Sequence, residues 1–227
     1  MAYAVAVPPI VTIPVVGGDP FPVRRIYCVG RNYAAHAREM GHDPNREPPF
    51  FFMKPADAIV PTGSVVPYPS QTKNYHHEIE LVVALGSGGK DIPVERALSH
   101  VFGYAVGLDM TRRDLQSQAK DLGRPWDMAK GFDQSAPCAP IHPVTAVGHL
   151  DKGAIWLKVN DQIRQKGDLF DLIWSVPETI AYLSGLMELF PGDLIYSGTP
   201  DGVNAVVKGD TLQGHVDGLT DLTITIG

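Results

Sequence analysis

Residues 75–85, Tyr75-His76-His77-Glu78-Ile79-Glu80-Leu81-Val82-Val83-Ala84-Leu85, alternate polar and apolar side chains as far as Leu81 and then become wholly apolar. A β-strand reads this way when one end stands at a solvated site and the other enters a core. Successive strand side chains face opposite ways, so His76, Glu78 and Glu80 share one face while His77, Ile79 and Leu81 share the other. Any fold for this chain must bury the second half of the strand and still accommodate two neighbouring carboxylates at the first. Such carboxylates repel, and near an interior they are costly unless a cation lies between them. Ligation by carboxylate oxygen alone suits a hard cation such as Mg²⁺, Mn²⁺ or Ca²⁺. Taken singly, Glu-x-Glu is more often a half-exposed strand with two solvated glutamates, so further ligands have to be found.

The remainder of the chain bounds the fold class. With Gly 23 and Pro 20 among 227 residues and only 19% charged residues, it reads as turn-rich, β-rich and globular. A net charge of −6 without any basic run argues against nucleic acid or an anionic membrane as partner. The apolar start lacks a basic leader and is interrupted by Pro8, Pro9 and Pro14. No run approaches the length of about 20 apolar residues that a membrane helix needs. Cys28 and Cys138 form no C-x-x-C pair and fit a reducing compartment as small core residues. The expectation is a soluble, cytoplasmic protein with an extended arm over residues 1–22 and one catalytic domain over 23–227.

Several segments place chemistry. Asn32 precedes helix formers and Gly41 follows them, which predicts a two-turn helix capped by Asn32. On it His36 and Glu39 are three apart and share a face, where a carboxylate can orient an imidazole as a general base; a solvated His-Glu pair has the same pattern. Residues 101–109 read as a second core strand, able to lie beside the glutamate strand, with Asp109 at its end. Asp109 is thus a candidate third ligand, although a helix-start aspartate looks alike. Thr111 and Asp114 have capping-box spacing and open a helix to about Leu122, with Arg113 and Gln116 on one face. Lys130 lies in an expected loop over 126–133. Ser175 and Glu178 open a further helix, and an apolar strand runs into Gly198-Thr199-Pro200. Asn160-Asp161 reads as a hairpin turn. Arg31, Lys54, Arg112, His76 and His77 are further candidates for contact with a substrate carboxylate, each equally readable as a solvated charge or a structural histidine.

Five spaced motifs together resemble the fumarylacetoacetate hydrolase superfamily. They are Gly30-Arg31-Asn32-Tyr33 with His36 and Glu39; His77-Glu78-Ile79-Glu80; Asp109-Met110-Thr111 with Arg113, Asp114 and Gln116; Ala129-Lys130-Gly131-Phe132-Asp133; and Gly198-Thr199-Pro200. The match runs from about residue 22 to the C-terminus. Within the family, the run from Met40 to Phe50 looks most like the bacterial members that cleave fumarylpyruvate. The resemblance implies an α+β, β-rich fold, a mixed β-roll with short flanking helices. It also implies a homodimer, and Mg²⁺ or Mn²⁺ held by Glu78, Glu80 and Asp109. The implied substrate is a small 2-oxo acid, an acylpyruvate whose carbon–carbon bond is hydrolysed. His36 and Glu39 would activate water, and Lys130 would stabilise the oxyanion or hold the substrate. Arg31, Arg113, Gln116, Gly198 and Thr199 would bind the substrate. Decarboxylation of oxaloacetate or a related diacid, and metal-dependent binding without turnover, are the alternatives.

Overall fold

The computed structural model describes residues 3–33 and 47–227. In chain order the strands are β1 (Thr12–Ile13), β2 (Phe21–Pro22), β3 (Arg25–Gly30), β4 (Phe50–Lys54), β5 (Ile59–Pro61), β6 (Val65–Val66), β7 (Tyr75–His76), β8 (Ile79–Leu85) and β9 (Val101–Leu108), then β10 (Thr111–Arg112), β11 (Ala136–Cys138), β12 (His142–Pro143), β13 (Ala154–Val159), β14 (Gln162–Asp168), β15 (Asp193–Tyr196), β16 (Thr211–Val216) and β17 (Leu222–Ile226). The α-helices among the described residues are α1 (Val94–Ala97), α2 (Arg113–Asp121), α3 (Asp127–Lys130), α4 (Val144–Val147) and α5 (Val176–Leu186).

A mixed sheet runs β4-β3-β15-β8-β9-β11-β5, with β12 also paired to β9, and a second sheet runs β14-β13-β16-β17-β6. The pairs β15–β3 and β11–β5 are parallel, and β8–β9 is antiparallel at the centre, with Ile79 opposite Leu108 and Glu80 opposite Gly107. Side chains of β8 alternate between two cores. Ile79, Leu81, Val83 and Leu85 join Ile155, Leu157 and Leu212 of the second sheet. Val82 and Ala84 join Ile26, Cys28, Leu194 and Tyr196 on the other face. Burial on both faces explains why the run after Glu80 is continuously apolar. The architecture is the β-rich mixed roll that the resemblance implies.

Several expectations change. The stretch over 75–85 is two strands, because β7 pairs with β10 in a separate two-stranded sheet and the strand is interrupted at His77-Glu78. Within the N-terminal segment, residues 12–22 lie against the rest of the chain. β1 and β2 pair, and Ile13, Val15 and Phe21 are buried in the second core. Thr111 is in β10 and does not cap α2; its hydroxyl donates to the Asp109 carbonyl (3.1 Å), while Asp114 accepts from the Thr72 hydroxyl and the Lys73 amide. The expected loop over 126–133 contains the one-turn helix α3. The capping box at Ser175 does form, with the Glu178 carboxylate accepting from the Ser175 amide and hydroxyl. Both residues of the Asn160-Asp161 hairpin have positive φ, as a tight two-residue turn requires. Both cysteines are free and buried.

Candidate metal centre and cleft

Glu78 sits in the link before β8, Glu80 on β8, and Asp109 directly after β9. The Asp109 amide donates to the Glu78 carbonyl at 2.9 Å, so the strand ladder itself brings the carboxylates together. One oxygen from each lies within 4.8 Å of the others, and all three residues are buried. Burial first, then the charges of Asp109 and Glu78, push the Glu80 carboxyl well above the usual range.

Three cationic side chains close on this group. Lys130 Nζ donates to Glu78 Oε2 at 2.9 Å, Asp109 Oδ2 at 2.6 Å and Thr111 Oγ1 at 2.7 Å. Burial works against the ammonium, yet Asp109 and Glu78 outweigh it and hold Lys130 above its ordinary value. Lys54 Nζ stands 2.8 Å from Asp109 Oδ1, and the Arg113 guanidinium pairs with Glu78. Glu80 Oε2 accepts from the Gly198 amide at 2.8 Å. A buried, all-oxygen donor set of three carboxylates fits a hard divalent cation such as Mg²⁺ or Mn²⁺.

Around the carboxylates, the turn after β15 is fixed from both sides. Gly198 has φ +101°, and a Cβ there would lie 2.6 Å from that of Asn32, so only glycine fits. Asn32 Nδ2 donates to the carbonyls of Trp174 (2.9 Å) and Ser197 (2.8 Å), and its Oδ1 accepts from the Trp174 amide. The helix that Asn32 is expected to cap lies outside the described residues. Gln165 reaches across from β14. Its Oε1 faces His77 Nδ1 at 2.8 Å and accepts from the Ile79 amide, while its Nε2 donates to Thr199 Oγ1 (2.8 Å) and the Pro200 carbonyl. Thr199 therefore keeps its own hydroxyl proton for an acceptor in the cleft.

The cleft brings Glu78, Glu80, Arg113, Gln116, Lys130, Thr199 and Arg31 to one wall-to-wall space with Lys120. Arg31, Phe50, Phe52, Trp126 and Lys130 also line a neighbouring outer cavity of about 550 Å³, which the three carboxylates do not border. The Gly198 amide, expected to contact substrate, donates to Glu80 in this structure. Arg113 is committed to Glu78, Gln116 and His76, which makes it an anchor of the Glu78 carboxylate. Burial and then Arg113 lower the His76 imidazole to about 4. Lys54 is buried behind Asp109 and is not among the residues lining the cleft, while Arg112 lies over the Phe132 ring at 4.2 Å. His36 and Glu39 lie outside the described residues. Sequence reasoning missed Thr111, Gln165 and Lys120. For Lys120 the signal was present, since it follows Arg113 by seven residues on the same helical face.

Comparison with known proteins agrees with this geometry. The family described as fumarylacetoacetate (FAA) hydrolase C-terminal matches residues 25–227. The chain is 46% identical over 185 residues to the fumarylpyruvate hydrolase of a Ralstonia species, covering 82% of this chain and 96% of that protein. It is 41% identical over 203 residues to the human mitochondrial oxaloacetate tautomerase FAHD1, covering 89% and 91%. A crystal structure of fumarylpyruvate hydrolase from Pseudomonas aeruginosa in complex with Mn²⁺ and pyruvate superposes with a TM-score of 0.97 at 56% identity, covering 99% of each chain. The chain belongs to the fumarylacetoacetate hydrolase family.

Proposed function

We propose that this protein hydrolyses the carbon–carbon bond of an acylpyruvate, with fumarylpyruvate giving fumarate and pyruvate. In this reading Glu78, Glu80 and Asp109 hold Mg²⁺ or Mn²⁺. The observation that carries it is the buried three-carboxylate cluster in a chain 56% identical to a fumarylpyruvate hydrolase whose complex contains Mn²⁺ and pyruvate. When bound, the cation supplies Lewis acidity to the keto oxygen of the substrate and offsets the charge that develops as the bond breaks.

The residues of the chain do the rest. Lys130, already among two carboxylates and a hydroxyl, is aimed into the cleft where an ammonium stabilises a developing oxyanion. Arg113 and Gln116 orient Glu78 and shape the wall beside it. The Thr199 hydroxyl, held by Gln165, donates to the substrate carboxylate. Arg31 lines the opposite wall. The base falls to His36, oriented by Glu39. It takes a proton from water, the hydroxide adds to the acyl carbon, the bond from that carbon to the methylene carbon breaks with its electron pair leaving on the pyruvate enolate, and the proton returns to the methylene carbon to give pyruvate.

The catalytic unit in this proposal is residues 23–227, acting as a homodimer in the cytoplasm. No helix among the described residues is long and apolar enough to cross a membrane, which is compatible with that placement. Product analysis by mass spectrometry, with Mg²⁺ and with chelator, tests the activity. Fumarate and pyruvate should form only with the metal, and intact fumarylpyruvate under both conditions refutes the reading. Relatives named oxaloacetate tautomerase favour oxaloacetate as a second substrate. Its tautomerisation and decarboxylation, followed by absorbance and by CO₂ release in the same preparation, separate that reading from hydrolysis.

A further inference from the structure

Helix α2 measures out the cleft. Arg113, Gln116 and Lys120 recur at intervals of three and four, so they share one face, and all three line the same cleft as Glu78 and Glu80. Arg113 is anchored on Glu78 at the metal centre. Seven residues at a helical rise of 1.5 Å put Lys120 about 10 Å further along the axis. An extended seven-carbon chain with ~1.5 Å bonds spans about 7–8 Å between its end carbons. A carboxylate-tipped acylpyruvate bound at the metal by its 2-oxo acid end would therefore bring its other end within hydrogen-bonding reach of Lys120.

The far end of the cleft is built for an anion. Lys120 Nζ lies 5.2 Å from the centre of the Trp126 ring, and the Arg31 guanidinium lies 5.4 Å from that of Phe50. The two rings meet edge to face at 5.2 Å, so one aromatic pair carries a cation on each flank. Phe50 is fixed in turn by Gly30, where any Cβ would fall 2.0 Å from its ring. Arg31 follows immediately with φ +58°, a left-handed backbone that a non-glycine residue adopts at a cost. Among the described residues neither Lys120 nor Arg31 has a carboxylate partner, whereas Lys54, Lys130 and Arg113 in the same neighbourhood each have one. Arg124 and Asp127 stand farther out, along the outer cavity.

We propose that Lys120, with Arg31 opposite, binds the carboxylate at the far end of the acyl group and so selects acylpyruvates that carry one over those ending in a methyl group. The inference rests on the acylpyruvate reading of the site and assigns its specificity to a residue of α2 that does not touch the metal ligands.

The test compares wild type, Lys120→Met and Lys120→Arg with fumarylpyruvate and with acetylpyruvate as substrates. Lys120→Met should lower the ratio of kcat/KM for the first over the second by about tenfold or more, as loss of a charged hydrogen bond implies, chiefly through KM. Lys120→Arg should restore most of that ratio. Equal losses on both substrates would overturn the assignment. Calorimetry on the Mn²⁺-loaded protein supplies a readout without turnover. Wild type should bind 2-oxopimelate more tightly than 2-oxoheptanoate, and Lys120→Met should erase the difference. Equal binding by wild type would also overturn it. If wild type cleaves neither substrate, the acylpyruvate reading fails while the calorimetry still decides the subsite.

Discussion

Lys54 illustrates how a single side chain is read differently once its surroundings are known. It ends an apolar strand, where a lysine ordinarily lays its stem along the core and its ammonium in water. Here it is buried, with Nζ 2.8 Å from Asp109 Oδ1 and donating to the Met110 carbonyl at 3.1 Å and to the Lys130 carbonyl. It thus supports Asp109 from behind while Lys130 supports it from the cleft side. Replacing it by methionine keeps the volume but leaves a buried carboxylate and two carbonyls short of a partner. Lys54→Met should cost roughly 3 kcal/mol or more in chelator-containing buffer, read from the midpoint of urea unfolding. A midpoint equal to that of wild type would show that Asp109 does not depend on it. Nothing in the sequence separated Lys54 from a substrate contact, because its burial depends on carboxylates more than fifty residues away.

Elements carry the same lesson. Strand β14, Gln162-Ile163-Arg164-Gln165-Lys166-Gly167-Asp168, exposes most of its side chains, and its sequence offers no reason to single out Gln165. Yet the carboxamide of Gln165 is buried and holds His77, Ile79, Thr199 and Pro200, so the outer hairpin of the second sheet braces the substrate side of the first. Gln165→Leu strands these partners and should destabilise the fold by about 2–4 kcal/mol. It should also raise KM several-fold through Thr199 while Mg²⁺ affinity holds; steady-state kinetics beside metal calorimetry would reveal an unchanged KM if the brace is irrelevant to substrate. What could be read in advance was local. The Ser175–Glu178 cap, the Asn160-Asp161 turn and the strand of residues 101–108 all depend on nearest neighbours along the chain. The break at His77-Glu78 and the loss of the Thr111 cap were not legible, because in each case a distant strand, β10 or β7, supplies the competing hydrogen bonds.

At the scale of the molecule, a chain of net charge −6 gathers Lys130, Arg113, Arg31 and Lys120 around one cleft. Local field, not net charge, governs which ions enter a recess, so an anionic substrate is drawn to an acidic protein. The three carboxylates come together only in the folded chain, and an ion they hold must stabilise it by mass action, by about 2.7 kcal/mol at a hundredfold excess over Kd. Saturating Mg²⁺ should therefore raise Tm relative to chelator, and Glu80→Gln should remove most of the increase; calorimetric scans that coincide with and without the ion would argue against the ligand set. The pairing of β8 with β9 adds a final point. Glu80 faces Gly107, and the Asp109 amide meets the Glu78 carbonyl. A slip of one residue would turn Glu80 to the opposite side of the sheet while leaving Val82, Val83 and Ala84 as well hidden from water as before. Apolar burial alone scarcely tells the two alignments apart during refolding. A divalent ion would, since only the correct alignment assembles a place for it, and its reward would go to fidelity of strand alignment, not to compaction.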